Sequence, residues 1–300
     1  MLFNPLDLND QSAYQKWRDD KIRAYDNDAH KSIVELDSTQ ASTEQLNQLI
    51  SACNRFNYSI YRLQDPLSGD KRFVRQLGLS LGLDRLDGNL CSDEDNISSI
   101  QVANTGRHTG YIPYTDKKLT WHTDGYYNDE ARTIRAMVLH CVRPAETGGE
   151  NLMLDHEMAY IQLRDESPQY ISAFTELDVL TIPPNIENGV QIRGAQSGPV
   201  FSLDALTNSL HMRYSARTRN IEWKDNSLTQ EAVACMSQLL NTNNPYVITY
   251  RMQAGEGIIA NNVLHNRTAF TDSDLPEKKR LLFRARSYDR VRKDVVGHKS

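Results

Sequence analysis

The chain has 300 residues, a formal net charge of −5, 39% apolar residues and 24% charged ones, the composition of a soluble globular protein with one large domain or two small ones. The acidic balance gives no electrostatic footprint for nucleic acid, and no stretch is long and apolar enough to span a membrane. The start, Met1-Leu-Phe-Asn-Pro-Leu-Asp-Leu-Asn-Asp, lacks the basic and apolar regions of a signal peptide, and Cys53, Cys91, Cys141 and Cys235 form no Cys-x-x-Cys pair. Reduced, packed thiols in a cytoplasmic protein are expected.

Residues 11 to 25 place Tyr14, Trp17, Ile22 and Tyr25 among polar neighbours, as in a surface helix or N-terminal arm. Trp17 is expected to pack against the body, the alternative being contact with another subunit or a lid over a site. Cap residues from Asp37 to Glu44 precede Leu46, Leu49, Ile50 and Cys53, a helix with one buried face. Asn57 to Leu63 reads as a strand, Phe73 to Leu83 as a helix covering a sheet face, and the polar stretch from Asp84 to Ile97 as a loop. These 97 residues read as scaffold. From Ser98 the character changes: Ile100 to Asn104 is a short strand, followed by a long connection carrying Arg107, His108, Tyr111 and Tyr114.

That connection leads into Leu119-Thr-Trp-His122-Thr-Asp124-Gly-Tyr-Tyr127. In extended backbone residues two apart share a face, so His122 and Asp124 can reach one cation while Thr123 points away. The remaining ligand is expected at His265, which ends the apolar run Gly257-Ile-Ile-Ala-Asn-Asn-Val-Leu-His265. Two imidazoles and a carboxylate leave other metal positions open, an arrangement that suits non-haem Fe(II). Tyr126 and Tyr127 either pack or touch substrate.

Further on, Ala136 to Val142 reads as a buried strand with His140 as a core residue, and Thr147 to Asp155 as a turn and strand before a helix through about Arg164. Strand-like pieces recur at 177 to 182, 190 to 193, 199 to 203 and 208 to 214, then a helix from Glu231 to Leu240 and a strand from Tyr246 to Tyr250. Arg213, Arg217 and Arg219 could bind an acidic group or stay solvated. Arg280-Leu-Leu-Phe-Arg284-Ala-Arg286-Ser-Tyr288 alternates Leu281, Phe283 and Ala285 against Arg280, Leu282, Arg284 and Arg286. Unpaired guanidiniums are costly to bury, so these arginines need anions or an edge position. A dicarboxylate cosubstrate such as 2-oxoglutarate, beside a metal with open positions, would supply them.

His122-Thr-Asp124, Gly148-Gly-Glu-Asn151, His265 after Asn261-Asn262, and Arg280 with Arg284 together resemble the taurine dioxygenase-like (TauD/TfdA) family of Fe(II)/2-oxoglutarate-dependent dioxygenases over roughly residues 100 to 290. The resemblance implies that His122, Asp124 and His265 ligate Fe(II), that Arg280 pairs with the distal carboxylate of 2-oxoglutarate, and that Arg284 holds an acidic group of the substrate. Asn151 stands where the family commonly has a threonine that helps hold the cosubstrate. Tyr114 is similar to a tyrosine of the betaine and carnitine-type hydroxylases that contributes to an aromatic cage, but the zinc-bearing cysteine cluster of those enzymes is absent.

The expected architecture is mainly β with flanking helices (α+β), a double-stranded β-helix or jelly-roll barrel. A single catalytic domain over residues 1 to 300 is expected, with the scaffold at 1–97 and the metal-binding region at 98–290. The expected reaction is O2-dependent hydroxylation, desaturation or cleavage of a small anionic or zwitterionic substrate, with release of succinate and CO2. Nucleic acid and membrane partners are not expected, and a homo-oligomer is possible. The competing readings are a zinc hydrolase or lyase on the same ligands, and a non-catalytic metal or small-acid sensor.

Overall fold

A computed structural model describes residues 4–26, 29–37, 40–88, 93–103, 111–187, 189–205, 207–241 and 243–291. Cys91, Arg107 and His108 lie outside them. Two sheets dominate, flanked by helices. The larger has six strands in the order Ile33–Leu36, Tyr58–Leu63, Glu256–Ala260, Ala136–Arg143, Leu281–Ser287, Ile97–Ile100. The smaller has four, in the order Ile248–Tyr250, Asn151–Leu154, Leu264–Arg267, Leu119–His122. Among the described residues no helix is long and apolar enough to cross a membrane.

Period-two alternation decides which side chains face which core. Tyr61, Leu63, Val138, Ile259 and Ala285 project from one face of the larger sheet against Leu49, Ile50, Cys53, Phe73, Val74 and Leu77 of the helices Thr43–Phe56 and Lys71–Ser80. Their sheet neighbours Ile60, Leu139, Ile258 and Leu282 join the main core with Met153 and Leu264 of the smaller sheet. Arg284 and Arg286, two and four residues after Leu282, therefore share its face. A register irregularity between Leu281 and Leu282 precedes this stretch.

Local signals hold most helices where the sequence puts them. Ser42 and Gln45 close a capping box at the start of Thr43–Phe56, and Asn57 ends that helix in the left-handed conformation. Trp17 packs against Tyr14 and Tyr160, with ring centroids 6.3 and 6.0 Å away. His140 is fully buried and bonds the Tyr61 hydroxyl at 3.0 Å, so it is a core residue.

Three expectations are corrected. The strand expected at Ile100–Asn104 is Ile97–Ile100, because four residues pair with Leu282–Ala285 and the chain then departs, Ala103 bonding the Tyr114 carbonyl. Leu281–Ser287 is an interior strand between two partners, so an edge position does not explain its arginines. The segment between Leu154 and Ile248 also contains the helix Pro168–Phe174 and the short strands Asn185–Glu187, Gln196–Gly198 and Glu222–Trp223, which the sequence did not suggest.

Candidate active site

His122 and His265 lie directly opposite each other on adjacent antiparallel strands, their ring centroids 4.3 Å apart. Each ring is oriented by its own strand. The Nδ1–H of His122 donates to the Thr120 carbonyl at 2.9 Å, and that of His265 to the Val263 carbonyl at 2.9 Å. A carbonyl can only accept, so each Nδ1 carries a proton and each Nε2 is the ring nitrogen left for a ligand. Asp124 completes the group: one ligand atom from each of the three residues lies within 4.8 Å of the others, and all three residues are buried.

Asp124 is held through its backbone. Its N–H donates to Asn262 Oδ1 at 2.7 Å, and Asn262 Nδ2 donates to the carbonyls of Asp124 and Ile134 at 2.9 and 2.7 Å. Asn262 has φ +51°, a left-handed conformation that asparagine tolerates better than most residues. The two carboxylate oxygens of Asp124 differ. Oδ1 faces Arg284 Nη1 at 3.6 Å and Arg286 Nη1 at 3.8 Å, while buried Oδ2 has no hydrogen-bond partner. Burial pushes this carboxyl up, but Arg284 and Arg286 outweigh it and hold the group well below the usual carboxylate range. Burial, then the neighbouring His265, brings His122 down to about 3, so its imidazole is neutral at physiological pH. A carboxylate with an orphaned oxygen, grouped with two imidazoles, fits a divalent cation that accepts N and O ligands. His122, Asp124 and His265 would hold it, and it would supply open positions for a chelating acid and dioxygen.

Arg280 is 5% exposed, its guanidinium carbon 4.9 Å from the Phe270 ring centroid, and among the described residues no carboxylate is paired with it. Burial lowers it to about 10. It shares a small cavity with Gly149, Asn151, Arg251 and Met252, and the Asn151 Nδ2 there is buried without a partner. Gly148 and Gly149, which line the cavity, are both at positive φ, and a Cβ on Gly148 would come within 2.3 Å of the Ala269 carbonyl oxygen. The unpaired guanidinium and amide are suited to a carboxylate of a 2-oxo acid.

The other arginines divide. Arg286 donates to Asp87 and, at 3.0 Å, to the Tyr127 hydroxyl. The Nε atoms of both Arg284 and Arg286 are buried without a partner, and Arg284, unlike Arg286, makes no ion pair other than that with Asp124 among the described residues. Arg213 does not serve the site: its guanidinium spans the carbonyls of Tyr126, Leu180, Gly198 and Gln196 at 2.7 to 3.3 Å. Tyr114, 2% exposed, packs in the main core. The sequence reading missed Arg267, which ties the Pro113, Thr115 and Lys117 carbonyls to the His265 strand. Its place two residues after His265, on the same strand face, was the available signal.

Two histidines and an aspartate around one point, with a buried unpaired arginine nearby, define the class of non-haem iron, 2-oxoglutarate-dependent dioxygenases. Over residues 34–286 the sequence matches the taurine catabolism dioxygenase TauD, TfdA family, and the chain belongs to it. It is similar to a uridine-5′-phosphate dioxygenase from Amycolatopsis sp, 27% identical over 63% of this chain and 66% of that one. A uridine-5′-phosphate dioxygenase from Streptomyces sp is 28% identical over 65% of this chain and 71% of that one. The matched segments thus span about two thirds of those relatives. Among solved structures, asparagine oxygenase in complex with Fe(II), 3-hydroxyasparagine and succinate superposes with a TM-score of 0.55 at 17% identity, covering 95% of this chain and 92% of that one.

Proposed function

We propose that the chain oxidises a small anionic or zwitterionic substrate, with His122, Asp124 and His265 as the Fe(II) ligands and Arg280, assisted by Asn151, as the binder of 2-oxoglutarate. The reaction takes substrate C–H, O2 and 2-oxoglutarate to the C–H-derived alcohol, succinate and CO2, one oxygen atom entering each of the two oxidised products. Bound iron supplies the redox chemistry. The chain supplies ligand geometry, a charge partner for the 2-oxo acid and a water-poor setting. The single observation that carries this reading is the joint presence of the three-residue ligand cluster and an unpaired guanidinium at Arg280.

The two sheets are read as the halves of a double-stranded β-helix, with the ligands at its mouth, and the chain as one catalytic domain with residues 1–97 as scaffold. Arg284, with its unpaired Nε near Asp124, supports a negatively charged substrate. Because the relatives above are named for uridine-5′-phosphate and for asparagine, a nucleoside 5′-phosphate is the first candidate and an amino acid the second. The test is succinate release from 2-oxoglutarate on adding each candidate to the iron-loaded protein. Release stimulated by one of them supports the reading. Arg280→Ala protein that binds 2-oxoglutarate as tightly as the unaltered protein contradicts the assignment of Arg280.

A further inference from the structure

We propose that Phe270 is a positioning residue for the cosubstrate: its ring fixes the plane of the Arg280 guanidinium, and so the direction in which that guanidinium offers its donors to a carboxylate of 2-oxoglutarate. This deepens the dioxygenase reading and rests on it. The Arg280 guanidinium carbon stands over the Phe270 ring, 4.9 Å from the centroid. That is inside the distance of about 6 Å at which an aromatic face attracts a cation. Arg280 is 5% exposed, and among the described residues its guanidinium makes no hydrogen bond or ion pair, while its backbone N–H donates to Asp272 at 2.7 Å. The ring face is the counterpart of a buried cation that has no anion.

The ring is itself held in place. Phe270 is 8% exposed and pairs with Gly148 across a short antiparallel ladder, beside the Gly148–Gly149 turn that lines the Arg280 cavity. Its N–H donates to the Asp116 carbonyl at 3.0 Å, in the segment that leads into the His122 strand. A Cβ on Gly149 would lie 3.6 Å from the Phe270 Cβ and 3.7 Å from the Arg280 Nε, so turn, aromatic residue and guanidinium meet at one place.

Arg267 shows how a guanidinium divides its contacts here. Its carbon stands over the same ring, 4.8 Å from the centroid, while its terminal nitrogens donate to the Pro113 and Thr115 carbonyls at 3.3 and 2.9 Å and to that of Lys117. A guanidinium is planar with its N–H bonds in the plane, so contact through the face leaves the edge free for acceptors. Arg280 has the same ring contact with its edge unspent. A carboxylate of 2-oxoglutarate would take that edge without displacing the ring, so the fork is oriented before the cosubstrate arrives and stays oriented after it. Leucine would fill much of the space but offer no aromatic face, and the guanidinium plane would be free to turn.

The test uses full-length protein loaded with redox-inert Mn(II) and titrated calorimetrically with 2-oxoglutarate. Phe270→Leu should weaken 2-oxoglutarate binding about threefold to thirtyfold, the range of a desolvated cation–π contact, with Mn(II) affinity unchanged. Phe270→Tyr, which keeps an aromatic face, should bind within about twofold of the unaltered protein. In protein that already carries Arg280→Ala, Phe270→Leu should add no further loss, a result that a merely structural role would not give. Phe270→Met takes the place of Phe270→Leu, with the same expectations, if the leucine protein fails to fold. Undiminished binding by the folded leucine or methionine protein overturns the proposal, and so does an equal loss in the Arg280→Ala background; in both cases the dioxygenase reading stands. If Arg280→Ala by itself leaves 2-oxoglutarate affinity intact, the underlying assignment of Arg280 is overturned and the role of Phe270 with it.

Discussion

Asn262 grips Asp124 from both sides of its backbone, accepting from the Asp124 N–H at 2.7 Å and donating to the Asp124 carbonyl at 2.9 Å. The side chain of one strand connection thus fixes the residue that follows the His122 strand, and among the described residues no other side chain bonds both groups. Asn262→Ala leaves a buried N–H and two buried carbonyls without this partner. We predict a loss of about 1–3 kcal/mol in stability and a tenfold to hundredfold weaker metal affinity, measured by urea unfolding and by metal competition.

Arg280 lies in a cavity with Asn151, and among the described residues its guanidinium makes no ion pair, Asp272 being bonded to its backbone N–H. Arg280→Ala should raise the 2-oxoglutarate Kd about tenfold or more while leaving Fe(II) affinity unchanged, read by calorimetry with Mn(II) as the metal. Lysine should rescue little, because it is a point charge where a planar fork is wanted.

Arg286 is 4% exposed and joined to Asp87, which lies 199 residues earlier in the chain, as well as to the Tyr127 hydroxyl. Breaking a buried pair from one side leaves an uncompensated charge. Asp87→Ala is therefore predicted to cost about 3–5 kcal/mol in chemical denaturation, whereas Asp129→Ala, which breaks an exposed pair with Arg132, should cost less than about 1 kcal/mol.

Acid should destabilise the metal-free protein well above the carboxylate range. Burial holds His122 and His156 down to about 3 and His140 to about 4, against an unperturbed 6.5. Between those values the unfolded chain binds protons that the folded chain refuses, so stability rises with pH across the window and is lost as pH falls from about 6.5 toward 4. Thermal melts of metal-free protein at pH 7, 6 and 5 should show a falling Tm, with little change from pH 7 to 8. A flat Tm from pH 7 to 5 contradicts the burial of neutral imidazoles.

What the sequence revealed follows strict periodicity. His122 and Asp124 were legible as a pair from their spacing, although the strand ends at His122 and Asp124 lies in the turn that follows, and the arginines of the Leu281–Ser287 strand were legible because a two-residue repeat placed them on the face of Leu282. Asn262, Arg267 and Asp87 act by holding backbone or charge contributed by segments distant in the chain, and no local pattern announces such a role. Arg213 showed the converse. A polar residue expected on a strand lies just past the strand Leu210–Met212 and was spent on four carbonyls that only the folded chain brings together. The strands Asn185–Glu187, Gln196–Gly198 and Glu222–Trp223 escaped because two or three residues are too few to display a period, whereas the neighbouring pieces at Val190–Arg193, Phe201–Leu203 and Leu210–Met212 were expected.

The central claim is tested most directly by the anaerobic visible spectrum of metal-free protein on adding Fe(II) and then 2-oxoglutarate. The account predicts a weak charge-transfer band that appears only with both, disappears in His265→Ala protein, and needs more 2-oxoglutarate in Arg280→Ala protein. Folded, iron-loaded protein that shows no band at saturating 2-oxoglutarate would contradict it.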